Sequence, residues 1–244
     1  MDIVTLAERP DLVDGMWELS SIWPDFMHQD PSADYYYART ERWAGFVLLA
    51  VDGDRVVGRG MTVPFFLDDG FRGPGLPDEG WAAVVRWSWH DDLAGRVPNL
   101  VAGLEVSLLP AERGTGLAGE MLAAMRANTR RHGIDTLVIP VRPSRKHEDP
   151  RTPIADYVAR TRADGLPVDS WLRLHVRLGG EILAVCPRAM TISGSLAEWR
   201  RWTGLPFDRS GDVEVPGALV PVHVDIDQDH AVYVEPNVWV RHAC

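Results

Sequence analysis

The stretch of sequence that decides the fold runs from residue 104 to residue 122 and reads LEVSLLPAERGTGLAGEML. Its apolar beginning predicts a strand over residues 100–109. The three- and four-residue spacing of apolar positions after the turn predicts an amphipathic helix over residues 116–132. Gly114 and Gly116 stand between them. The first N–H groups of a helix have no internal partner, and the helix dipole is positive at that end. The stretch therefore predicts an anion-binding turn.

Arg113 precedes the first glycine and can add charge-assisted hydrogen bonds to a phosphate. The alternative is a strand–helix connection that uses glycine only to turn tightly. One familiar phosphate motif, the P-loop, does not fit, because the turn lacks its Gly-Lys-Ser/Thr. Gly114, Gly116 and Gly119 have the Gly-x-Gly-x-x-Gly spacing that dinucleotide folds also use, so the glycine spacing alone does not identify the ligand.

The segments on both sides of this turn predict an α/β arrangement with a mixed sheet. Two β-rich runs around Asp52-Gly53-Asp54, residues 46–51 and 55–63, predict a hairpin. Helices are predicted over residues 11–22, 32–43, 81–93, 154–163 and 170–178, with a loop over 144–156. Further strands or β-rich runs are predicted over residues 136–141, 181–185, 190–193, 219–225 and 231–240.

The composition describes an acidic chain of moderate size. It has 244 residues, 45% of them hydrophobic, which is enough for one well-buried core, alone or with a small annex. The net charge is −10, with 35 acidic against 25 basic residues, which argues against nucleic acid or an anionic membrane as partner. An acidic surface would suit a cationic or amine-bearing substrate, although it is also a common feature of soluble proteins.

The sequence also bears on the cellular compartment and on metal binding. Two distant cysteines, Cys186 and Cys244, do not make a disulfide framework. The acidic N-terminus does not resemble a signal peptide, and no apolar run approaches the roughly 20 residues that cross a bilayer. We expect a soluble, cytoplasmic protein. Adjacent residues such as His147, Glu148 and Asp149 cannot converge on one ion, so we expect no metal.

Three pieces of the sequence follow one another in a familiar order. They are Leu108-Leu109-Pro110, then Arg113-x-x-Gly116-x-Ala118, and then LHVRLGG at residues 174–180. They resemble the Val-x-Pro-like step, the Arg/Gln-x-x-Gly-x-Gly/Ala signature and the Leu-Tyr-x-x-Leu-Gly-Phe stretch of the GNAT superfamily of acyl-CoA N-acyltransferases. The resemblance implies a GNAT-like α/β fold, with a mixed, mostly antiparallel sheet flanked by helices.

The resemblance covers residues 45–190 well, and residues 1–44 match the usual N-terminal helices. We therefore expect a GNAT-like domain over residues 1–190. Residues 191–244 are expected to form a β-rich C-terminal extension packed on the same domain. The resemblance does not explain that extension.

The cofactor implied by the resemblance is acetyl-CoA or another acyl-CoA, used as co-substrate. In the superfamily the fourth and fifth strands splay apart and the pantetheine arm lies between them, here at strands 100–109 and 136–141. Backbone groups near Val106 and Leu108 would hold the arm, and the turn at residues 113–118 would hold the pyrophosphate. The implied cofactor-binding residues are Val106, Leu108, Arg113, Gly114, Thr115, Gly116, Leu117 and Ala118.

The resemblance also implies two catalytic residues. Many members use a glutamate on the fourth strand as general base, which here is Glu105. A solvated charge on an outer strand position is an equal alternative. His175 stands where many members have the tyrosine that protonates the leaving thiolate, and a histidine can donate a proton near neutral pH. A histidine packed in the core with a satisfied hydrogen bond is the alternative.

The implied reaction is acyl transfer to the amine of a small molecule. Tyr35, Tyr36 and Tyr37 could line an aromatic acceptor pocket or simply pack. The cations of residues 142–147 could meet CoA phosphates or an acceptor carboxylate, or form a solvated run, and the long segment 143–169 could shape the acceptor site. Non-catalytic binding of acyl-CoA as a sensor, and thioester hydrolysis or decarboxylation, remain alternatives. A homodimer also stays open.

Overall fold

The structure is a computed structural model that describes residues 1–38 and 40–244, without the side chains of residues 20, 21 and 69. The strands of this part of the chain all join one sheet. They are β1 (Asp2–Thr5), β2 (Val47–Asp52), β3 (Arg55–Phe65), β4 (Leu100–Leu108), β5 (Thr136–Val141), β6 (Glu181–Gly194), β7 (Gly211–Val213), β8 (Val222–Asp225) and β9 (His230–Ala243).

The α-helices of the described residues differ widely in length. They are α1 (Val13–Trp17), α2 (Ala33–Tyr37), α3 (Asp69–Arg72), α4 (Gly80–Leu93), α5 (Leu117–Arg131), α6 (Ile154–Val158), α7 (Ser170–Arg177) and α8 (Leu196–Thr203). Short 3-10 helices span Pro10–Leu12, Glu18–Ile22, Asp25–Gln29, Thr40–Phe46, Pro110–Glu112 and Lys146–Glu148. Within the described ranges, no helix has the length and apolar character needed to cross a bilayer.

The sheet is mixed and mostly antiparallel, as predicted. Its strands lie in the order β1-β2-β3-β4-β5-β9-β8-β7, and β6 pairs with β9. β4 and β5 are parallel, because α5 crosses between them, and the other strand pairs are antiparallel. The predicted hairpin is confirmed, with Gly53 in the turn at a φ of +62°.

The parallel pair β4 and β5 diverges soon after it begins. The two strands pair only where Val101 meets Leu137 and Ala102 meets Val138. The register between β3 and β4 then shifts by one residue, which makes a bulge in β4 at residue 104. A gap therefore opens between the remaining lengths of β4 and β5, which is the geometry expected for the splayed strands.

Each face of the sheet carries its own apolar layer. One face packs against α1 and α4 around Met16 and Val84, and the opposite face packs against α5 and α7 around Met121 and Leu172. A third cluster surrounds Trp199 of α8 beside β6, β8 and β9. The gap between β4 and β5 lies between the first two layers, so it is reached from both faces of the sheet.

Two predicted N-terminal helices are broken in the structure. The helix predicted over residues 11–22 is a 3-10 turn, the short α1 and a second 3-10 turn. Gly15 lowers its helix propensity, and a Cβ there would lie 3.3 Å from Val56 Cγ2. The helix predicted over residues 32–43 divides into α2 and the 3-10 helix from Thr40, with residue 39 outside the described residues.

The C-terminal part differs from the prediction in its details. The β-rich runs predicted at 181–185 and 190–193 are one bulged strand, β6, so the predicted domain boundary after residue 190 falls inside a strand. β9 pairs with β5, so the last segment contributes to the same sheet. The prediction missed the short strands β1 and β7 and the helices α3 and α8. The Ser195 and Glu198 capping box that starts α8 is visible in the sequence.

Candidate active site

A cavity of about 860 Å³ occupies the gap between β4 and β5. Both diverging strands border it. The other walls come from α5, α7 and the N-terminal turns, by which we mean the segment of residues 22–37. Strand residues on its wall are Gly103, Leu104, Glu105, Val106, Ser107 and Leu108 of β4, with Ile139, Pro140 and Val141 of β5. Strand edges that do not pair with each other offer backbone groups to an extended ligand that carries amides.

The predicted phosphate turn borders this cavity at the N-terminus of α5. Gly114 and Gly116 line it with φ values of +81° and +101°, where glycine is favoured. A Cβ on either glycine would have no neighbour within 4 Å, so backbone conformation, and not lack of space, calls for glycine. Gly116 is the N-cap of this 15-residue helix. The arrangement provides the backbone donors that an anion needs.

Six of the eight predicted cofactor-binding residues line the cavity. They are Val106, Leu108, Arg113, Gly114, Gly116 and Ala118. The side chains of the other two do not. Thr115 Oγ1 donates to the Glu112 carbonyl at 2.8 Å, which closes the turn, and the Leu117 side chain is 3% exposed in the core. Thr115 and Leu117 therefore shape the turn, and contact of the other six with CoA remains a prediction.

Three arginines line the cavity. Arg113 is joined there by Arg173 and Arg177 of α7, which the sequence prediction did not include. Among the described residues, none of the three has a carboxylate partner, and Nη1 of Arg173 bonds only to the carbonyl oxygens of Pro167 and Val168. These three arginines therefore bring positive charge to the cavity wall, although the whole chain is acidic. The i, i+4 spacing of the two α7 arginines was a signal in the sequence.

Glu105 lies in the cavity wall with its side chain 9% exposed, which excludes the alternative of a solvated charge. Nη2 of the buried Arg59 donates to Glu105 Oε1 at 2.7 Å. Trp23 Nε1 donates to the same oxygen at 3.2 Å, and the Ser107 hydroxyl also donates to it. Because these donors converge on Oε1, they hold the carboxylate in one orientation and leave Oε2 as the oxygen for a substrate. Its role as general base remains a prediction.

A second ion pair lies on the cavity wall beyond the end of β5. Arg142 Nε donates to both carboxylate oxygens of Glu235, at 3.1 and 2.9 Å, and Arg142 Nη2 donates to the Gly217 carbonyl. Glu235 is 0% exposed and also accepts from the Tyr233 hydroxyl at 2.7 Å and from Asn237 Nδ2 at 3.1 Å. The strand β9 thus brings charge into the cavity from far along the chain.

The N-terminal turns supply an aromatic wall. Trp23 and Tyr37 line the cavity together with Trp81 of α4. Of the three consecutive tyrosines in the sequence, only Tyr37 does so. Tyr36 is 1% exposed in the core, and Tyr35 packs edge-on against another ring of α4 with the centroids 5.8 Å apart. Tyr35 and Tyr36 therefore pack, as one alternative had it, and Tyr37 stands in the cavity wall, where its contact with the acceptor remains a prediction.

His175 is far from the role that the sequence suggested. Its ring is 0% exposed and does not line the cavity, and Trp171, which does line it, packs edge-on against that ring at 4.5 Å. His175 Nδ1 lies 2.9 Å from Nε2 of the buried His242. Burial, with a smaller contribution from His242, lowers the pKa of His175 to about 3. His175 is therefore not placed to protonate the thiolate directly. The ring lies in the core, as in the alternative, but among the described residues only its Nδ1 has a hydrogen-bond partner and its Nε2 has none.

The long segment between β5 and α7 is held by one buried carboxylate. Asp169 caps α7 by accepting from the N–H groups of Trp171 and Leu172, each at 3.0 Å. It also accepts from the Arg145 N–H at 3.0 Å and the Tyr157 hydroxyl at 3.1 Å. Ser144 and His147 of this segment line the cavity, which is consistent with the expectation that the segment shapes the site.

Comparison with known proteins agrees with this geometry. No family model matches the sequence. The arginine N-acetyltransferase avaD of Aspergillus versicolor is 33% identical over 273 residues, which cover 98% of this chain and 92% of avaD. The loading GNATL domain of CurA from Lyngbya majuscula has a TM-score of 0.62 at 16% identity, covering 99% of this chain and 96% of that domain. The GphF GNAT-like decarboxylase in complex with isobutyryl-CoA has a TM-score of 0.52 at 17% identity, covering 100% of this chain and 99% of the decarboxylase chain.

The chain belongs to the GNAT superfamily of acyl-CoA-dependent N-acyltransferases. The two structural likenesses show the fold, and the sequence relative shows the class of enzyme. The reaction is transfer of an acyl group to an amine, and acyl-CoA is the co-substrate. The expected superfamily, fold and reaction class are thereby confirmed.

Proposed function

We propose that the chain transfers an acetyl group from acetyl-CoA to a nitrogen of arginine or of a closely similar guanidine-bearing small molecule. The observation that carries this proposal is the identity of 33% with the arginine N-acetyltransferase avaD over nearly the whole chain. The site is compatible with a cationic acceptor, because Glu105 presents a carboxylate in the cavity wall beside the aromatic ring of Trp23.

The donor would bind along the gap between β4 and β5. Its pyrophosphate would lie at the Gly114–Gly116 turn, with Arg113, Arg173 and Arg177 around the phosphates. Its pantetheine arm would pair with the strand edges, and the thioester would then lie near the bulge in β4. This direction follows from the turn standing directly after the C-terminal end of β4.

The chemical step needs a nitrogen without its proton. Glu105 takes this proton through Oε2, directly or through one water molecule, while the donors on Oε1 keep the carboxylate oriented. The nitrogen attacks the thioester carbonyl carbon, a backbone N–H of the strand edge stabilises the oxyanion, and the C–S bond breaks. CoA leaves as a thiolate, which takes a proton from solvent or from a polar group of the cavity.

An assay that measures both reaction products tests the proposal. Purified protein is incubated with acetyl-CoA and either L-arginine, L-ornithine or L-citrulline, and both free thiol and acetylated product are measured. L-citrulline is the matched control, because it has the shape of arginine without the cationic guanidinium. We expect one acetylated arginine for each CoA released, and a kcat/KM for L-citrulline at least roughly tenfold lower.

The same assay separates the other functions. Thiol release at one rate with and without every amine would indicate hydrolysis and refute the acceptor. Binding of acetyl-CoA without turnover for any amine would indicate a sensor. Equal turnover of arginine and citrulline would remove the carboxylate–guanidinium contact from the proposal.

A further inference from the structure

Arg142 is held in the cavity wall by bonds to one side of its guanidinium. Nε is occupied by the two oxygens of Glu235, and one hydrogen of Nη2 is occupied by the Gly217 carbonyl. Nη1 carries two further N–H donors, and within the described residues it donates no hydrogen bond to a protein oxygen. The side chain remains 20% exposed on the cavity wall. The guanidinium is therefore held through Nε and Nη2, and Nη1 is the nitrogen left for another partner.

Glu235 is arranged to orient Arg142, not to meet a ligand itself. It is completely buried, and Tyr233, Asn237 and Arg142 all donate to its two oxygens. Burial alone would lower the pKa of Arg142, but the charges and hydrogen bonds of Glu235 and Tyr233 together outweigh burial and raise that pKa. The Arg142 charge is therefore permanent, and its direction is determined by a fully bonded partner.

Arg142 belongs to the acceptor side of the cavity. Its Cζ lies 5.8 Å from the ring centroid of Trp23, and Nε1 of that same ring donates to Glu105. The indole therefore separates a fixed cation from the proposed base by about the length of one side chain. Arg113 stands at the turn before α5, and Arg173 and Arg177 stand on α7, so these three arginines belong to other elements of the cavity wall.

We propose that Arg142 Nη1 binds a carboxylate of the acceptor, so that the enzyme selects an α-amino acid over the corresponding amine without a carboxylate. This inference rests on the proposed function. A carboxylate held at Arg142 would direct the rest of the acceptor past Trp23 toward Glu105. Arginine suits this task because its planar guanidinium is a geometric match for a carboxylate.

The wild-type enzyme provides the first test, because three acceptors differ only in the carboxylate. L-Arginine carries it, L-argininamide has a neutral amide in its place, and agmatine lacks the group. A charge-assisted hydrogen bond in a partly buried site corresponds to a kcat/KM that is roughly 10- to 100-fold higher for L-arginine than for the other two. Equal values for L-arginine and L-argininamide would overturn the inference while leaving the proposed function intact. Turnover of none of the three would instead refute the proposed function.

Variants then assign the preference to Arg142. Arg142→Gln leaves Glu235 buried without its cation, so the double variant Arg142→Gln/Glu235→Gln, which removes both charges, accompanies it. Arg145→Gln is the matched control, since Arg145 is an exposed arginine three residues along that pairs with Glu148. We expect the double variant to lower kcat/KM for L-arginine to about the value that the same variant shows for L-argininamide, and Arg145→Gln to keep the preference for L-arginine. A preference that survives in the double variant would overturn the assignment.

The carboxylate could instead belong to the acyl group of the donor, and malonyl-CoA distinguishes this source. The inference predicts no tighter binding of malonyl-CoA than of acetyl-CoA in the wild type. Tighter malonyl-CoA binding that disappears in the double variant would place the carboxylate on the donor and overturn the acceptor assignment.

Discussion

Replacing Gly116 by glutamate is expected to abolish CoA binding without unfolding the protein. Gly116 has a φ of +101° at the N-cap of α5, and its Cα faces open space on the cavity wall. Any side chain there adopts the left-handed region at a cost of about 1–2 kcal/mol. The glutamate carboxylate would in addition stand where the account places the pyrophosphate.

The loss of affinity can be worked from electrostatics. Two like charges about 4 Å apart repel by roughly 4 kcal/mol at an effective dielectric constant of about 20, which corresponds to about a 1000-fold weaker Kd. Water and salt in the open turn reduce this figure, so we expect a loss of at least roughly 100-fold. Gly116→Ala adds only a methyl group in open space, so its CoA affinity should change by no more than a few-fold.

Gly133 at the other end of α5 provides the matched control. Its φ is +76°, a Cβ there would also have no neighbour within 4 Å, and it does not line the cavity. Gly133→Glu should therefore lose similar stability in urea unfolding and keep full affinity in a calorimetric titration with acetyl-CoA. A folded Gly116→Glu variant that bound CoA like the wild type would refute the phosphate-turn reasoning. Equal losses of affinity in both variants would show that backbone strain, not the phosphate site, is responsible.

Three further perturbations test other parts of the account. Glu105→Gln keeps an oxygen for Trp23 but removes the charge, so kcat should fall by about 10²–10⁴-fold with CoA affinity unchanged in the same titration; unchanged kcat would remove Glu105 from the mechanism. Burial lowers the pKa of His175 to about 3 and that of His242 to about 4, so both rings stay neutral in the folded protein when the unfolded chain takes up protons below about pH 6.5. The urea-unfolding free energy should therefore fall as pH drops from about 6.5 to 4, by up to about 1.4 kcal/mol per pH unit per histidine, and a His242→Gln variant should show a smaller slope; parallel pH curves would contradict this. Asp169→Ala removes the cap of α7 and leaves buried N–H donors without a partner, so the unfolding free energy should fall by about 2–4 kcal/mol. Asp164 is exposed, so Asp164→Ala should change the unfolding free energy little.

The phosphate turn and the strands around it could be predicted because their signals are local. Glycines at 114 and 116, an apolar run before them and an amphipathic run after them all fall within about 30 residues. Each of these elements adopts in the structure the conformation that its own residues favour. The fold class followed from that core, because the order of elements restricts how a sheet can form.

The acceptor side could not be predicted, since its residues are distant in the chain. Trp23 and Glu105 are 82 residues apart, and Arg142 and Glu235 are 93 residues apart. No spacing rule joins such pairs, and only the placement of β9 between β5 and β8 brings the second pair together. His175 was misjudged for a related reason. Its motif position indicated a helix, but which face of that helix met the cavity depended on packing against His242 of β9.

The most direct test of the account is a crystal structure of the protein with CoA and L-arginine bound together, a pair that cannot react because no acyl group is present. We expect the pyrophosphate at Gly114 and Gly116, the CoA sulfur in the gap beside the bulge of β4, and a nitrogen of arginine within about 4 Å of Glu105 Oε2. CoA bound elsewhere, or with its sulfur outside the gap between β4 and β5, would contradict the account.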